Sequence, residues 1–202
     1  MKSPFHLVHQ NSEIDSRIVA ALERISEAFR VLLWNESKEY ALSPIQIQML
    51  IFLLTHSEEQ RKVSYLAQEF NMTKATISDA LRVLEEKSLV KKTSDPNDSR
   101  SFVLDLTKKG KDIAEKTSFF TNELQTPINK LYSDDKENLL LSLMTIIHHL
   151  NKAGVITIQR MCLTCIHYET DSKNKHFCKL LNRKLETTDL RIDCPEHAQS
   201  AA

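Results

Sequence analysis

The chain has 202 residues, of which 41% are apolar, and its 27 Lys and Arg residues balance its 27 Asp and Glu residues. This composition excludes a disordered chain, and any attraction for nucleic acid must come from local segregation of charge. No signal peptide is present and no run approaches about 18 apolar residues, so we expect a soluble cytoplasmic protein without membrane contact. Two Gly and five Pro residues favour long helices.

Two helices are predicted in the first quarter of the chain. Over residues 12–35, apolar residues recur every three or four positions and therefore share one helical face. These residues are Ile14, Ile18, Leu22, Ile25, Phe29 and Leu32. Ser43 and Pro44 form the start signal of a second helix, because serine caps helices and proline fits their first turn.

Residues 63–92, VSYLAQEFNMTKATISDALRVLEEKSLVKK, have helix-turn-helix spacing. We expect Ser64 and Thr73 to cap the two helices, which a tight turn at residues 71–72 joins. The apolar residues of the second helix that should face inward are Ile77, Leu81 and Leu84. The small or polar residues that should face outward are Ala75, Ser78, Asp79 and Arg82.

Short polar side chains on an exposed helix face permit close approach to base edges in the major groove. Taken alone, this face is more simply interpreted as a solvated surface. The two segments that follow strengthen the DNA-binding interpretation. Residues 89–94 and 101–106 predict a hairpin directly after the second helix, which is the order of elements in a winged helix-turn-helix. Between Arg61 and Lys111, eleven basic residues also outnumber seven acidic ones.

Further helices are predicted after the hairpin. Thr107 should cap a helix that continues to about Leu131, with a kink or break after Thr126 because Pro127 follows. Ser133 should cap another helix, which Gly154 ends. With residues 12–35, these helices present more apolar surface than one chain can cover, so we expect a homodimer.

The most specific motif is DPNDSRSFVLDLTKKG at residues 95–110, in which Asp-x-Arg is followed by a strand, Leu-Thr and Gly. Together with SPIQIQML and residues 63–92, it makes residues 12–152 resemble the MarR family of winged helix-turn-helix transcription regulators. A glycine typical of the family before the wing is Ser88 here, so this serine should adopt a left-handed conformation at a modest cost.

We therefore expect a mainly α protein with minor α+β character. Its first domain, residues 1–158, would be a winged helix-turn-helix whose dimerisation helices lie at 12–35 and 107–152 and whose DNA-binding unit lies at 43–106. Residues 159–202 would form a small metal-binding extension.

The resemblance implies that Arg100 of the wing enters the minor groove and that Asp98 orients it. A narrow minor groove concentrates negative potential and suits a planar, weakly hydrated cation. The expected DNA contacts are Thr73, Lys74, Ala75, Thr76, Ser78, Asp79, Arg82, Lys91, Lys92, Asp98 and Arg100. The family further implies a repressor-like regulator of a pseudo-palindromic operator, with a small-molecule effector. Three aromatic residues either line the cleft that would bind this effector or belong to the core, namely Phe29, Trp34 and Phe120.

All four cysteines lie in the last quarter of the chain, with the spacing Cys-x2-Cys-x12-Cys-x15-Cys. Cys162, Cys165, Cys178 and Cys194 suit tetrahedral zinc, which would stabilise a tail with few large apolar residues. An iron-sulfur cluster uses the same thiolates, and disulfides would require an oxidising compartment. Three histidines are candidates to replace a thiolate, although each is expected at the surface: His167, His176 and His197. The site either stabilises the tail or senses metal or redox state.

Two other functions remain open at the level of sequence. A thiol redox protein would use Cys162 and Cys165, but no βαβ alternation precedes them and no other catalytic motif is present, so we expect no enzyme. A metal-dependent protein-interaction module would share these motifs and bind no duplex.

Overall fold

The computed structural model describes residues 3–95, 98–171 and 175–199, and the side chains of residues 95–100 lie outside this description. The chain divides into two compact units, residues 1–57 with 80–124 (unit 1) and residues 58–79 with 125–202 (unit 2). Helices and two small antiparallel sheets confirm the predicted fold class. The domain division at residue 158 stays a prediction. Within the described residues, no helix has the length and apolarity to cross a membrane.

Unit 1 begins with α1 (Leu7–Ser12) and α2 (Ile14–Tyr40). The helix predicted over residues 12–35 therefore begins at residue 14 and continues to residue 40. It ends because Ala41 adopts a left-handed φ of 50°, which lets the Leu42 N–H donate to the Ser37 carbonyl at 3.1 Å.

Helix α3 (Pro44–Thr55) begins where its start signal predicts. The Gln46 N–H donates to Ser43 Oγ at 3.4 Å, and the Ser43 N–H donates to Gln46 Oε1 at 2.8 Å, which completes a capping box. Gln46 Nε2 also donates to the Ala80 carbonyl at 3.3 Å. The core of unit 1 contains Leu33, Ile47, Met49, Leu50, Phe52, Leu53, Leu81, Leu84, Leu104, Ile113 and Ala114.

The wing is the antiparallel hairpin of β1 (Val90–Asp95) and β2 (Asp98–Leu106), with Val90 opposite Leu106. This confirms the hairpin predicted after the second helix of the helix-turn-helix, α5 (Lys74–Glu86). Ser88 has a φ of 57°, as expected for a residue in the place of a glycine. The Leu89 N–H donates to the Leu84 carbonyl at 2.9 Å and so closes α5 before the strand begins.

The base of the wing packs closely against α6 (Lys108–Thr117). Thr107 caps this helix as predicted, because its Oγ1 accepts the Gly110 N–H at 3.0 Å and donates to the Ser88 carbonyl at 2.8 Å. A Cβ atom on Gly110 would lie 1.9 Å from the Leu89 carbonyl oxygen. Glycine is therefore required here for close approach rather than for backbone freedom.

Residues 118–121 separate α6 from α7 (Asn122–Asn129). Of the kink or break expected after Thr126, the break is wrong because Pro127 lies inside α7. The earlier break forms because i→i+3 hydrogen bonds replace the helical ones, from the Phe120 N–H to the Thr117 carbonyl and from the Asn122 N–H to the Phe119 carbonyl.

Unit 2 contains the short helix α4 (Val63–Glu69) and the long helix α8 (Ser133–Lys152). Both predicted caps are wrong, because Ser64 and Ser133 lie within the first turns and the N-cap positions are Lys62 and Tyr132. The predicted stop of α8 is confirmed. Gly154 has a φ of 71° just beyond the helix.

The tail folds as a three-stranded antiparallel sheet in the order β3 (Tyr168–Thr170), β4 (His176–Cys178) and β5 (Arg183–Leu185). Short 3₁₀ turns at Cys162–Thr164 and Thr187–Asp189 flank this sheet. A cluster of buried side chains joins the tail to α8, namely Met144, Met161, Leu185 and Leu190. The tail therefore has an apolar core that its composition did not predict, because α8 supplies part of it.

We predict that Gly110→Ala destabilises the protein by about 1–3 kcal/mol, because a methyl group cannot fit against the Leu89 carbonyl without a backbone shift. Urea denaturation would measure the change. The control is Lys111→Ala at the next, exposed position, which should change stability by less than about 0.5 kcal/mol. Equal effects of the two substitutions would contradict the close contact.

Candidate functional site

The exposed face of α5 carries the residues predicted to contact DNA. The Thr76 N–H donates to Thr73 Oγ1 at 3.1 Å, so Thr73 caps the helix as expected. The inward residues Ile77, Leu81 and Leu84 are all buried. The predicted contacts on this helix and its cap are all exposed, namely Thr73, Lys74, Ala75, Thr76, Ser78, Asp79 and Arg82.

The turn before α5 depends on Asn71, which has a left-handed φ of 55°. Asparagine tolerates this conformation better than most residues with a Cβ atom. The Met72 N–H then donates to the Ala67 carbonyl at 2.8 Å, which closes α4. These contacts confirm the predicted tight turn between the two helices.

The wing supplies the remaining predicted contacts. Lys91 and Lys92 are exposed on β1, and Lys92 Nζ lies 2.7 Å from Glu85 Oε2 on α5. An exposed ion pair of this kind contributes little to stability, so Lys92 can exchange its carboxylate for a phosphate at small cost. The side chains of Asp98 and Arg100 lie outside the described residues, and their predicted roles stay predictions.

The four cysteines of the tail come together around one cavity. Cys162 and Cys165 lie on the first 3₁₀ turn and just after it, Cys178 ends β4, and Cys194 lies in the loop after the second 3₁₀ turn. Three separate segments therefore deliver their thiols to the same place. The cavity also contains His167 and the apolar residues Tyr168, Leu180, Leu181 and Leu185.

The thiols influence one another electrostatically. Burial raises the pKa of Cys162, and the charges that Cys194, Cys165 and Cys178 would carry raise it further. Burial also raises the pKa of Cys194. A redox-active dithiol requires a lowered pKa, so this environment does not favour the thiol redox function.

The four cysteine side chains are not arranged as the ligands of one metal ion in this structure. No three Cys, His, Asp or Glu side chains of the described residues already form a metal-binding group. Cys194 Sγ instead donates to Glu196 Oε2 at 3.3 Å. Binding of one ion by all four thiols therefore requires a rearrangement of their side chains.

Two of the three histidines of the tail have side-chain partners. His176 is buried, contrary to the prediction of a surface position, and its Nδ1 lies 2.7 Å from the Tyr168 hydroxyl. His197 Nε2 lies 3.0 Å from Thr164 Oγ1. His167 is the one of the three that lines the cysteine cavity.

Arg160 connects the tail to α4, and the sequence did not single it out. Its Nε and Nη2 donate to Asp193 at 2.6 and 2.8 Å, and its Nη1 donates to Glu69 at 2.6 Å and to the Tyr65 hydroxyl at 2.9 Å. Burial opposes the charge, but the hydrogen bonds that the guanidinium donates to Asp193 and Glu69, together with their negative charges, outweigh burial and raise the pKa of Arg160. No local pattern reveals this arrangement, because 91 positions separate Arg160 from Glu69.

Two further hydrogen bonds join the same segments. Asn71 Nδ2 donates to the Val155 carbonyl at 2.8 Å, and Thr157 Oγ1 donates to the Gln68 carbonyl at 2.6 Å. The end of α4 and its turn are thus held by the segment that leads from α8 into the tail.

Comparison with known proteins agrees with this arrangement. A model of the MarR family matches residues 42–101. The HTH-type transcriptional regulator BilQ of Clostridioides difficile (strain CD3) is 26% identical over 118 residues, 57% of this chain and 80% of that protein. The S. aureus MepR–DNA complex has a TM-score of 0.57 at 24% identity, over 65% of this chain and 97% of that chain. A MarR transcriptional regulator from Methanosarcina mazei Go1 has a TM-score of 0.57 at 18% identity, over 67% of this chain and 97% of that chain.

The capped helix-turn-helix and the hairpin that follows it define a winged helix-turn-helix protein. Residues 42–101 are similar to the MarR family, and the curated relative is a transcriptional regulator. The two solved structures show the same fold. About a third of this chain has no counterpart in either of them, and the matched family model ends before the cysteine tail.

We predict that Thr73→Ala destabilises the protein by about 1 kcal/mol, because it removes the cap of α5. Ser64→Ala is the matched control, since that serine lies inside the first turn of α4 and should be neutral within about 0.5 kcal/mol. Urea denaturation distinguishes the two. A loss at Ser64 equal to that at Thr73 would restore the cap predicted from the sequence.

Proposed function

We propose that the chain is a sequence-specific DNA-binding transcription regulator that acts as a homodimer. The observation that carries this proposal is the exposed face of α5, which consists of small and polar side chains next to the buried stripe of the same helix. The relatives are regulators rather than enzymes, in agreement with the expectation that the chain is not an enzyme.

In this proposal α5 lies in the major groove. Ala75 and Ser78 are short enough to let the backbone approach the bases, while Arg82 provides a long donor for a guanine edge. Lys91 and Lys92 of the wing contact phosphates and supply affinity without sequence preference. The likeness to a MepR–DNA complex agrees with such a use of the fold.

The wing arginine provides the second groove contact in this proposal. Arg100 enters the minor groove and Asp98 orients its guanidinium, as the family resemblance implies. The antiparallel pairing of β1 and β2 supports the proposal, because it places both residues on the β2 strand of the wing.

Dimer formation is proposed from α2, whose apolar residues remain largely exposed in one chain. Those more than 40% exposed are Ile14, Ile18, Val19, Ile25, Phe29, Val31 and Trp34. Apolar surface of this extent along one helix is typical of an interface. A symmetric dimer would bind a pseudo-palindromic operator with half-sites about one helical turn apart.

Repression and release by a small molecule are the simplest regulatory scheme for this family. Phe29 and Phe120 meet edge to face, with ring centroids 6.3 Å apart, and thus form an aromatic contact in unit 1. Trp34 is 51% exposed and is available either to the dimer or to an effector.

The alternative of a protein-interaction module is tested directly. Selection of bound duplexes from a random library, followed by a mobility shift at low salt, should yield a pseudo-palindromic site. Failure to retain any duplex would favour the interaction module.

We predict that Arg82→Ala weakens operator binding by about 1–3 kcal/mol and relaxes the base preference at one position of each half-site. Repeating the library selection with the variant would show the relaxed position. Arg24→Ala on α2 is the control, because its side chain is also exposed but lies on a helix proposed to contact no DNA. Unchanged preference in Arg82→Ala would contradict the proposed placement of α5.

We predict that Arg100→Ala weakens operator binding by about 1–3 kcal/mol, whereas Lys91→Ala weakens binding to all duplexes alike. The logarithmic salt dependence of the binding constant should decrease by about one for Lys91→Ala, because one phosphate contact is lost. Titrations at several salt concentrations measure both quantities. If Arg100→Ala retains affinity within about twofold, the minor-groove role is wrong.

A further inference from the structure

The cysteine cavity has the features of a built site rather than of a chance cluster. The Cys165 N–H donates to the Cys162 carbonyl at 3.0 Å, which makes a tight turn around the first pair of thiols. The Cys162 N–H donates to the Arg191 carbonyl at 3.0 Å, and the Arg191 N–H donates back to Cys162 Sγ at 3.3 Å. The loop that contains Cys194 is thereby held against this turn.

Charge and polarity around the cavity also suit a thiolate centre. The Arg191 guanidinium lies 3.5 Å from Cys194 Sγ and would offset part of the negative charge of four thiolates. Leu180, Leu181 and the buried Leu185 give the cavity an apolar lining beside the thiols. Soft thiolate ligands in such surroundings select a thiophilic metal such as zinc over hard cations.

The ligand set favours a single ion. Four thiols delivered by three segments match the tetrahedral coordination that zinc prefers. An iron-sulfur cluster would use the same thiolates, so elemental analysis must distinguish the two.

We propose that Cys162, Cys165, Cys178 and Cys194 bind one zinc-type divalent ion, and that Arg160 couples this site to the helix-turn-helix. The coupling part rests on the proposed DNA-binding function, whereas the metal site does not. Binding releases the proton of each thiol to solvent and involves no electron transfer. The Cys194 thiol exchanges its hydrogen bond with Glu196 for the metal.

The coupling follows a short path from the metal to α4. The Cys194 N–H donates to the Arg160 carbonyl at 2.9 Å, and the preceding residue Asp193 accepts two hydrogen bonds from the Arg160 guanidinium. The same guanidinium binds Glu69, the last residue of α4. A shift of the Cys194 loop therefore disturbs both ends of Arg160 at once.

Burial makes this path sensitive to displacement. The Arg160 side chain is only 10% exposed and that of Glu69 only 20%. Loss of the contact with Asp193 would therefore leave the positive charge of Arg160 poorly compensated in a largely buried position. Unit 2, which contains the tail, also contains α4, the turn and residues 74–79 of α5. Most of the predicted contacts on α5 thus lie in the same compact unit as the cysteine site.

The metal site is tested on the wild-type protein without DNA. We expect elemental analysis after dialysis to find one zinc per chain, and Cys178→Ser and Cys194→Ser to lose it. Iron with sulfide and visible colour would overturn the single-ion site. Metal-free protein with four free thiols, or with disulfides, would overturn any metal site.

The coupling is tested with the full-length protein and its selected operator. Removal of zinc by a chelator should weaken operator binding about tenfold, within the usual range of allosteric coupling, and added zinc should restore it. Arg160→Gln should retain zinc and lose this dependence. Lys179→Ala is the control, because its exposed pair with Glu169 lies in the tail and should leave the dependence intact.

A measurement without DNA separates the two proposals. On removal of zinc, hydrogen exchange of residues 63–79 should become faster in the wild type and in Lys179→Ala. In Arg160→Gln, removal of zinc should leave the exchange rate of these residues unchanged. If exchange responds and no duplex binds, the DNA-binding proposal fails, and only the structural effect of zinc on α4 and its turn stands. If zinc is bound and neither exchange nor affinity responds to its removal, the coupling is overturned.

Discussion

Burial of Ile77, Leu81 and Leu84 determines which side of α5 meets solvent, and the proposed DNA contacts depend on that orientation. A helix has one rotational setting that covers three such side chains, so Ser78, Asp79 and Arg82 must point outward. The cap at Thr73 sets where the helix begins and therefore which residues occupy its first turn. A solvated face and a groove-binding face would share this geometry, and the hairpin that directly follows α5 favours the second.

The wing is attached to this helix by backbone contacts that tolerate little change. Ser88 accepts a left-handed conformation, Leu89 closes α5, and the Leu89 carbonyl occupies the space that a side chain on Gly110 would need. Because the hairpin begins one residue later, its direction follows from these contacts. Basic side chains on the strands are thereby carried by a rigid base, as a groove-contacting element requires.

The tail adds a second constraint, on the other helix of the helix-turn-helix. Arg160 satisfies two carboxylates and a tyrosine hydroxyl in a largely buried position, and such a charge is costly to leave unpaired. Apolar contact with α8 anchors the rest of the tail through Met144 and Met161. The tail belongs to the same compact unit as α4 and α8.

Local signals in the sequence predicted the elements that depend on neighbouring residues: the start of α3 at Ser43 and Pro44, the cap at Thr73, the hairpin and the stop at Gly154. Side chains there act on backbone groups a few positions away, so the pattern suffices. The same reasoning misplaced Ser64, Ser133 and the break near Pro127, where competing backbone hydrogen bonds set the boundary. Only the tertiary structure brought four cysteines around one cavity, buried His176 and joined Arg160 to Glu69, because such contacts form between residues distant in the chain and leave no periodic trace in it.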